Sequence, residues 1–243
     1  MAPVRLIAHR GGVVDACRPE NSASALEEAI RRGYWMVETD LDESEDGHLV
    51  VHHGSFLRSF GEWRDPGRMP WDGIRKLSAR EDRSRPLEFH EYASLCRGRI
   101  RVMIDTKGSG HPVSFYEAAE RALRENGLLE EACFIGSGEA KAHFKGKART
   151  GMNAEALRNA VQSGADVSRL CFLFAHGRDL DGDAIGLAGR AGVPVVASIN
   201  RYHYLPRLIG HRKAARADML RLRGLGVTIF QIDSIYEGLL ERA

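Results

Sequence analysis

The feature that most constrains this chain is its rhythm: strand-length β-rich runs alternate with helical stretches from one end to the other. Runs at 4–8, 35–41, 100–105, 132–136, 148–152, 170–175, 193–199 and 227–233 read as strands, and the spacing predicts helices over 22–32, 88–96, 114–126, 154–163, 183–191 and 214–223. Eight strands each followed by a helix-length connection predict parallel β/α units closed into a barrel. The first helix shows the local logic. Ala25, Leu26, Ala29 and Ile30 make one apolar face, Ser22 can cap its start and Gly33 can end it. Asp46-Gly47 marks a tight turn into a run at 49–53, a hairpin extension after the second strand. Residues 54–98 exceed what one helix needs. With Trp63, Pro66, Pro70 and Trp71 they predict a long loop or insertion on the functional rim, before the third barrel strand. No low-complexity linker or charge block interrupts the rhythm, so 1–243 is expected to be a single α/β domain.

Composition narrows the functional classes. With 35 basic against 33 acidic side chains the formal charge is +2, too little for the long-range field of a nucleic-acid binder. The apolar runs stop well short of the ~20 residues a membrane-spanning helix requires, so no stable membrane insertion is expected. The N-terminal run enters His9-Arg10 directly, without the extended apolar region of a secretory leader, and points to a cytoplasmic protein. Cys17, Cys96, Cys133 and Cys171 form no CxxC pair and read as buried free thiols.

In a parallel barrel the C-terminal strand ends converge on one mouth, and the polar residues fall there. His9 and Arg10 close the first strand, Glu38 and Asp40 the second, Asp105 and Lys107 the third, and Asp233 the last. Period-two geometry sets Glu38 with Asp40 on one face, and Asp105 with Lys107. Three carboxylates in one mouth repel one another unless a cation sits among them. All-oxygen ligands suit Mg²⁺ or Ca²⁺, with Mn²⁺ admissible, better than zinc. His9 and His53 can accept and donate protons near neutral pH, whereas His52, one position out of phase, reads as a packing residue. The remaining histidines, His176 and His203 among them, show no pairing pattern. Arg10 and Lys107 place fixed positive charge at the same mouth, matched to an anionic substrate.

Taken together, Ile-Ala-His-Arg-Gly at 7–11, Pro-Glu-Asn-Ser at 19–22, Val-Glu-Thr-Asp-Leu at 37–41, Asp-Gly-His-Leu-Val-Val-His-His at 46–53 and Ile-Asp-Thr-Lys at 104–107 resemble the glycerophosphodiester phosphodiesterase family. The resemblance implies a TIM barrel and metal-dependent hydrolysis of a small phosphodiester. It further implies Glu38, Asp40 and Asp105 as metal ligands, His9 and His53 as the acid/base pair, and Arg10 and Lys107 as phosphate contacts. Glu20 would orient Arg10 or the metal's surroundings. Three departures stand out. Gly54 follows the second histidine where the family usually has aspartate. Asp105 replaces the usual glutamate, and Ala197 replaces a tryptophan, a change expected to reshape the pocket wall. Two other readings share the barrel: a metal-free sugar-phosphate lyase or isomerase using Lys107, and a non-catalytic barrel that binds a phosphate ligand. For substrate contacts in the rim the candidates are Phe56, Trp63, Trp71, Tyr202, His203 and Tyr204.

Overall fold

The computed structural model describes residues 2–167, 170–204 and 210–240. Its strands are β1 (Arg5–Ala8), β2 (Met36–Glu43), β3 (Leu49–Val51), β4 (Leu87–Glu88), β5 (Arg101–Thr106), β6 (Cys133–Gly136), β7 (Arg149–Met152), β8 (Cys171–His176), β9 (Val195–Ile199) and β10 (Ile229–Ile232). Eight of them pair in parallel in the ring order β1-β2-β5-β6-β7-β8-β9-β10, and β10 returns to β1, so the sheet is a closed TIM barrel. β3 folds back antiparallel on β2, with Leu41 opposite Val51, and β4 adds to β3 outside the ring. All eight barrel strands and the hairpin extension therefore stand where the sequence rhythm sets them.

Helices Ala23–Arg31, Phe89–Cys96, Val113–Glu125, Ala154–Gln162, Gly182–Arg190 and His211–Gly224 match the expected six to within three residues at either end. Ser22 accepts the Ala25 N–H at 3.1 Å, and Gly33 leaves the first helix at φ +75°. Helix Gly138–Phe144 was not expected. Ser137 caps it through the Ala140 N–H, while Ala140 and Phe144 bury one face. Among the described residues no helix is long and apolar enough to cross a membrane.

Two apolar layers fill the molecule. Helices and the outer strand faces share the larger one, and Ala197 lies fully buried within it. The bore holds Ile7, Met36, Met103, Cys133, Phe172, Val196 and Ile229. Because side chains on one strand face recur every second residue, this floor dictates what stands above it. Ile7 is followed inward by His9, Met36 by Glu38 and Asp40, and Met103 by Asp105; Phe172 and Phe174 lead to His176, and Val196 to Ser198. An apolar plug thus carries a polar mouth on its C-terminal side. The insertion between β3 and β4 closes on its own cluster of Val50, Phe56, Met69 and Ile74.

Candidate active site at the barrel mouth

The turn after β1 is built around close backbone approaches. Gly11 donates to the Glu38 carbonyl oxygen, and a Cβ on Gly11 would lie 2.4 Å from the Asn21 Cα. Arg10 itself has φ +57°, an uncommon conformation for a side-chain-bearing residue, and its backbone N–H donates to Glu38 Oε2 at 2.8 Å. The His-Arg-Gly spacing is therefore a backbone requirement as well as a chemical one.

Glu38, Asp40 and Asp105 converge, with one carboxylate oxygen from each lying within 4.8 Å of the others. Register explains the convergence: Asp40 sits directly beside Asp105 across the β2–β5 ladder. Glu38 and Asp40 are each only 1% exposed. Lys107 Nζ lies 2.7 Å from Asp40 Oδ1 and 2.5 Å from Asp105 Oδ2. That ammonium neutralises two acids but leaves Glu38, where burial and Asp40 push the carboxyl up to about 8. Burial also works against the Asp40 charge, yet Lys107, His53 and Asn21 outweigh it and hold Asp40 below its ordinary value. Three carboxylates with a single ammonium, which reaches only Asp40 and Asp105, suit a hard divalent cation, so they can hold one.

His9 and His53 both face this cluster. His9 Nδ1 lies 2.6 Å from Asp233 Oδ1, and its Nε2 is 3.8 Å from Glu38 Oε2. Burial opposes charge on His9, but Glu38 and Asp233 together raise its pKa. His53 is set the other way: burial, with Arg10 and Lys107 close by, holds it below the usual histidine value against the pull of Asp40. Its Nε2 is 3.4 Å from Arg10 Nη2. Arg10 Nη1 also donates to both Glu20 oxygens, at 3.1 and 2.9 Å. Glu20 therefore grips Arg10.

Sequence reasoning missed two residues. Asn21, buried at φ +57°, donates from Nδ2 to Asp40 Oδ2 at 2.8 Å and accepts from Thr39 Oγ1 at 2.8 Å. Asp233 was noted at its strand end without a role, and the structure hangs His9 on it. The signal for Asn21 lay in the Pro-Glu-Asn-Ser motif; Asp233 sits at a strand end of the right parity.

Other expectations change. Phe56 and Tyr204 are core residues, 0% and 1% exposed, and not rim contacts: Phe56 packs with Met69 and Ile74, and Tyr204, closing the short helix Arg201–Tyr204, joins the main core and donates to Asp218. Trp63 and Tyr202 do stand out, at 66% and 76% exposed. Ala197 packs among the helices, so its small side chain alters that layer rather than a pocket wall. Cys17 is exposed, while Cys96 and Cys133 are buried free thiols with pKa values pushed up to about 12 by burial. His52 packs as expected, its ring 4.3 Å from Phe56. His176 and His203 come together: their tilted rings lie with centroids 3.5 Å apart. His176 Nδ1 and Asn200 Oδ1 are buried without a hydrogen-bond partner among the described residues.

A cleft of about 390 Å³ opens over His9, Arg10, Glu20 and Asp233. Residues 9–119 match the family described as the glycerophosphoryl diester phosphodiesterase family. The matched stretch runs from the turn after β1 into the helix after β5. The human protein Glycerophosphodiester phosphodiesterase 1 is 28% identical over 134 residues, which is 50% of this chain and 39% of that protein, so the chain spans about two fifths of that relative's length. Among solved structures, a glycerophosphodiester phosphodiesterase from Agrobacterium tumefaciens superposes with TM-score 0.74 at 18% identity, covering 98% of this chain and 99% of the other. A phosphodiesterase from Oleispira antarctica, solved with its product sn-glycerol-3-phosphate, gives TM-score 0.74 at 18% identity over 98% of this chain and 96% of the other. At those identities the structures establish the shared fold.

Proposed function

We propose that this chain is a metal-dependent phosphodiesterase that hydrolyses a small anionic phosphodiester, of the glycerophosphodiester class, to an alcohol and glycerol phosphate. The observation that carries the reading is the meeting, at one barrel mouth, of a three-carboxylate cluster with two imidazoles of opposite electrostatic setting and an anchored guanidinium. The family match over residues 9–119 supports the same chemistry.

Mg²⁺, Ca²⁺ or Mn²⁺ held by Glu38, Asp40 and Asp105 would supply positive charge against the phosphoryl oxygens. Arg10, fixed by Glu20, presents its remaining N–H groups to the same phosphate, and Lys107 adds a second cation. His53, kept neutral, takes the proton of the attacking hydroxyl, either water or a neighbouring substrate hydroxyl. His9, whose charged form is favoured by Asp233 at 2.6 Å, returns a proton to the departing alkoxide oxygen. Asp233 fixes the ring of His9 much as a second carboxylate orients any catalytic histidine. Asn200 Oδ1, buried and without a hydrogen-bond partner among the described residues, is suited to accept from a substrate hydroxyl.

The lyase reading needs an unprotonated Lys107. Burial alone would favour one, but Asp40 and Asp105 raise the Lys107 pKa and keep it a cation. A diester panel assayed with each metal, with EDTA, and with His9→Ala and His53→Ala tests the proposal. Metal-dependent turnover lost in both variants is expected; turnover indifferent to EDTA and to both substitutions rejects it, and tight ligand binding without turnover under any metal selects the non-catalytic reading.

A further inference from the structure

The cleft over His9 and Arg10 continues outward into a second hollow of about 480 Å³, floored by Val13, Val14, Ala16 and Ile235. Arg58 and Arg201 line both spaces and so stand at the neck between them. They come from separate segments, Arg58 from the insertion after β3 and Arg201 from the short helix Arg201–Tyr204 after β9. Hollows of several hundred Å³ accommodate drug-sized molecules, far more than a phosphate with its glycerol fills.

The charges at the neck are not balanced locally. The carboxylate nearest Arg58 is Glu20, 3.8 Å away and already gripped twice by Arg10. Asp15, the acid in the outer hollow, is taken by Arg18 at 2.6 Å. No ion pair or side-chain hydrogen bond engages the Arg201 guanidinium among the described residues; only its backbone N–H is used, by Asp233. Arg32, further out, is bound by Glu28 and Glu237. Two guanidinium groups with spare donors therefore face the path that the alcohol half of a bound diester would follow, above an apolar floor.

We propose that Arg58 and Arg201 form a leaving-group subsite that selects phosphodiesters whose alcohol half itself carries an anionic group, a phosphate above all, over those whose alcohol half ends in a quaternary ammonium. The proposal rests on the phosphodiesterase reading, because it uses the same cleft. Guanidinium forks match phosphate oxygens two at a time, whereas a choline headgroup would meet two like charges. Val13, Val14 and Ile235 receive the carbon skeleton between the two charged ends.

The test compares three diesters that share the glycerol phosphate half: glycerophosphocholine, glycerophosphoglycerol and a glycerophosphoinositol bearing a ring phosphate. Each is assayed with the full chain and the same divalent metal, in wild type, Arg58→Gln, Arg201→Gln and the double variant. Wild type is expected to favour the ring-phosphorylated diester over the choline diester by at least tenfold in kcat/KM, chiefly through KM. In the double variant that ratio falls at least fivefold. A choline diester used equally well or better by wild type, or an equal loss on all three diesters, overturns the proposal. If no diester turns over, the phosphodiesterase reading fails by itself, and the subsite is judged by equilibrium binding of inositol bisphosphate against phosphocholine. A bisphosphate preference that the double variant loses upholds the subsite, and equal binding of the two ligands removes it.

Discussion

Asn21 offers the most quantitative test of how the mouth is held. Its amide donates to Asp40 Oδ2 at 2.8 Å and its carbonyl accepts from Thr39 Oγ1 at 2.8 Å, with all three residues buried. Asn21→Ala removes a donor to a charged acceptor, a loss of about 1.5–3 kcal/mol, and one of the Thr39 hydroxyl's bonds, about 0.5–1.5 kcal/mol, since Tyr92 remains beside that hydroxyl. It also forces alanine into φ +57°, which asparagine tolerates better; that adds about 1 kcal/mol. The expected loss is about 3–5 kcal/mol in denaturant unfolding, near the top of the range for single substitutions. Asn21→Gly loses the same bonds but not the backbone strain, and should be less damaging by about 1 kcal/mol.

Both variants also loosen Asp40, a carboxylate expected to ligate the metal. Outer contacts of this kind typically govern metal affinity by about 10- to 100-fold. A titration of activity against Mn²⁺ or Mg²⁺ should therefore shift to higher metal in both variants, while saturating metal restores most of kcat. Unchanged stability in Asn21→Ala, equal loss in the alanine and glycine variants, or an unmoved metal titration would refute the reasoning.

Further outcomes follow from single residues. His9→Ala and His53→Ala should each lower kcat by about 10²–10⁴-fold with metal still bound, read by steady-state kinetics beside metal titration calorimetry. Gly11→Ala places a Cβ 2.4 Å from the Asn21 Cα at φ +77°, so about 3 kcal/mol or more of stability should be lost in chemical denaturation. Glu120 is held at about 2, chiefly by Lys147 and Arg124 with His143, against an ordinary 4.5. A depressed carboxyl stabilises the fold above pH 4.5, and that contribution is lost as pH falls toward 2. Glu120→Gln should accordingly flatten the acid limb of Tm against pH across that window.

The barrel was legible because the ring strands other than β7, which reads Arg-Thr-Gly-Met, carry apolar runs bracketed by glycine or polar turns, and because the polar residues recur at strand ends. The parity that sets Glu38 with Asp40 and leaves Thr39 outside is written in the sequence itself. What stayed hidden depends on contacts between distant segments. Helix Gly138–Phe144 lies between glycines and lysines that mask its two buried residues. The His176–His203 ring contact joins the end of β8 to the short helix after β9, and no local periodicity encodes that meeting. Asn21 bridges β1's turn to β2 across nineteen positions, legible as part of a motif but not as a bond to Asp40. Phe56 and Tyr204 read as rim aromatics because segments after strand ends are usually exposed, yet both are buried.

Lys107 ties the carboxylate cluster to the phosphate site, and the two duties can be separated. Its ammonium lies 2.7 Å from Asp40 and 2.5 Å from Asp105, the acids that would also hold a divalent ion. Ammonium and metal therefore repel each other while sharing ligands. Lys107→Met removes the ammonium and leaves Asp40 buried beside Glu38. Breaking a fully buried pair costs about 3–5 kcal/mol; because Lys107 and Asp105 are about a quarter exposed, about 2 kcal/mol is the better expectation for the metal-free protein. The same change lowers the repulsion an incoming ion meets, so Mn²⁺ should bind the variant more tightly than wild type. Bound ligand stabilises by RT ln(1 + [L]/Kd), about 2.7 kcal/mol at a hundredfold excess over Kd. The metal-induced rise in Tm should thus be larger in Lys107→Met, offsetting much of its deficit, while KM for the diester increases as a phosphate contact is lost. A variant as stable as wild type without metal, or one whose Tm responds less to Mn²⁺, would mean that the ammonium and the ion do not compete for these carboxylates.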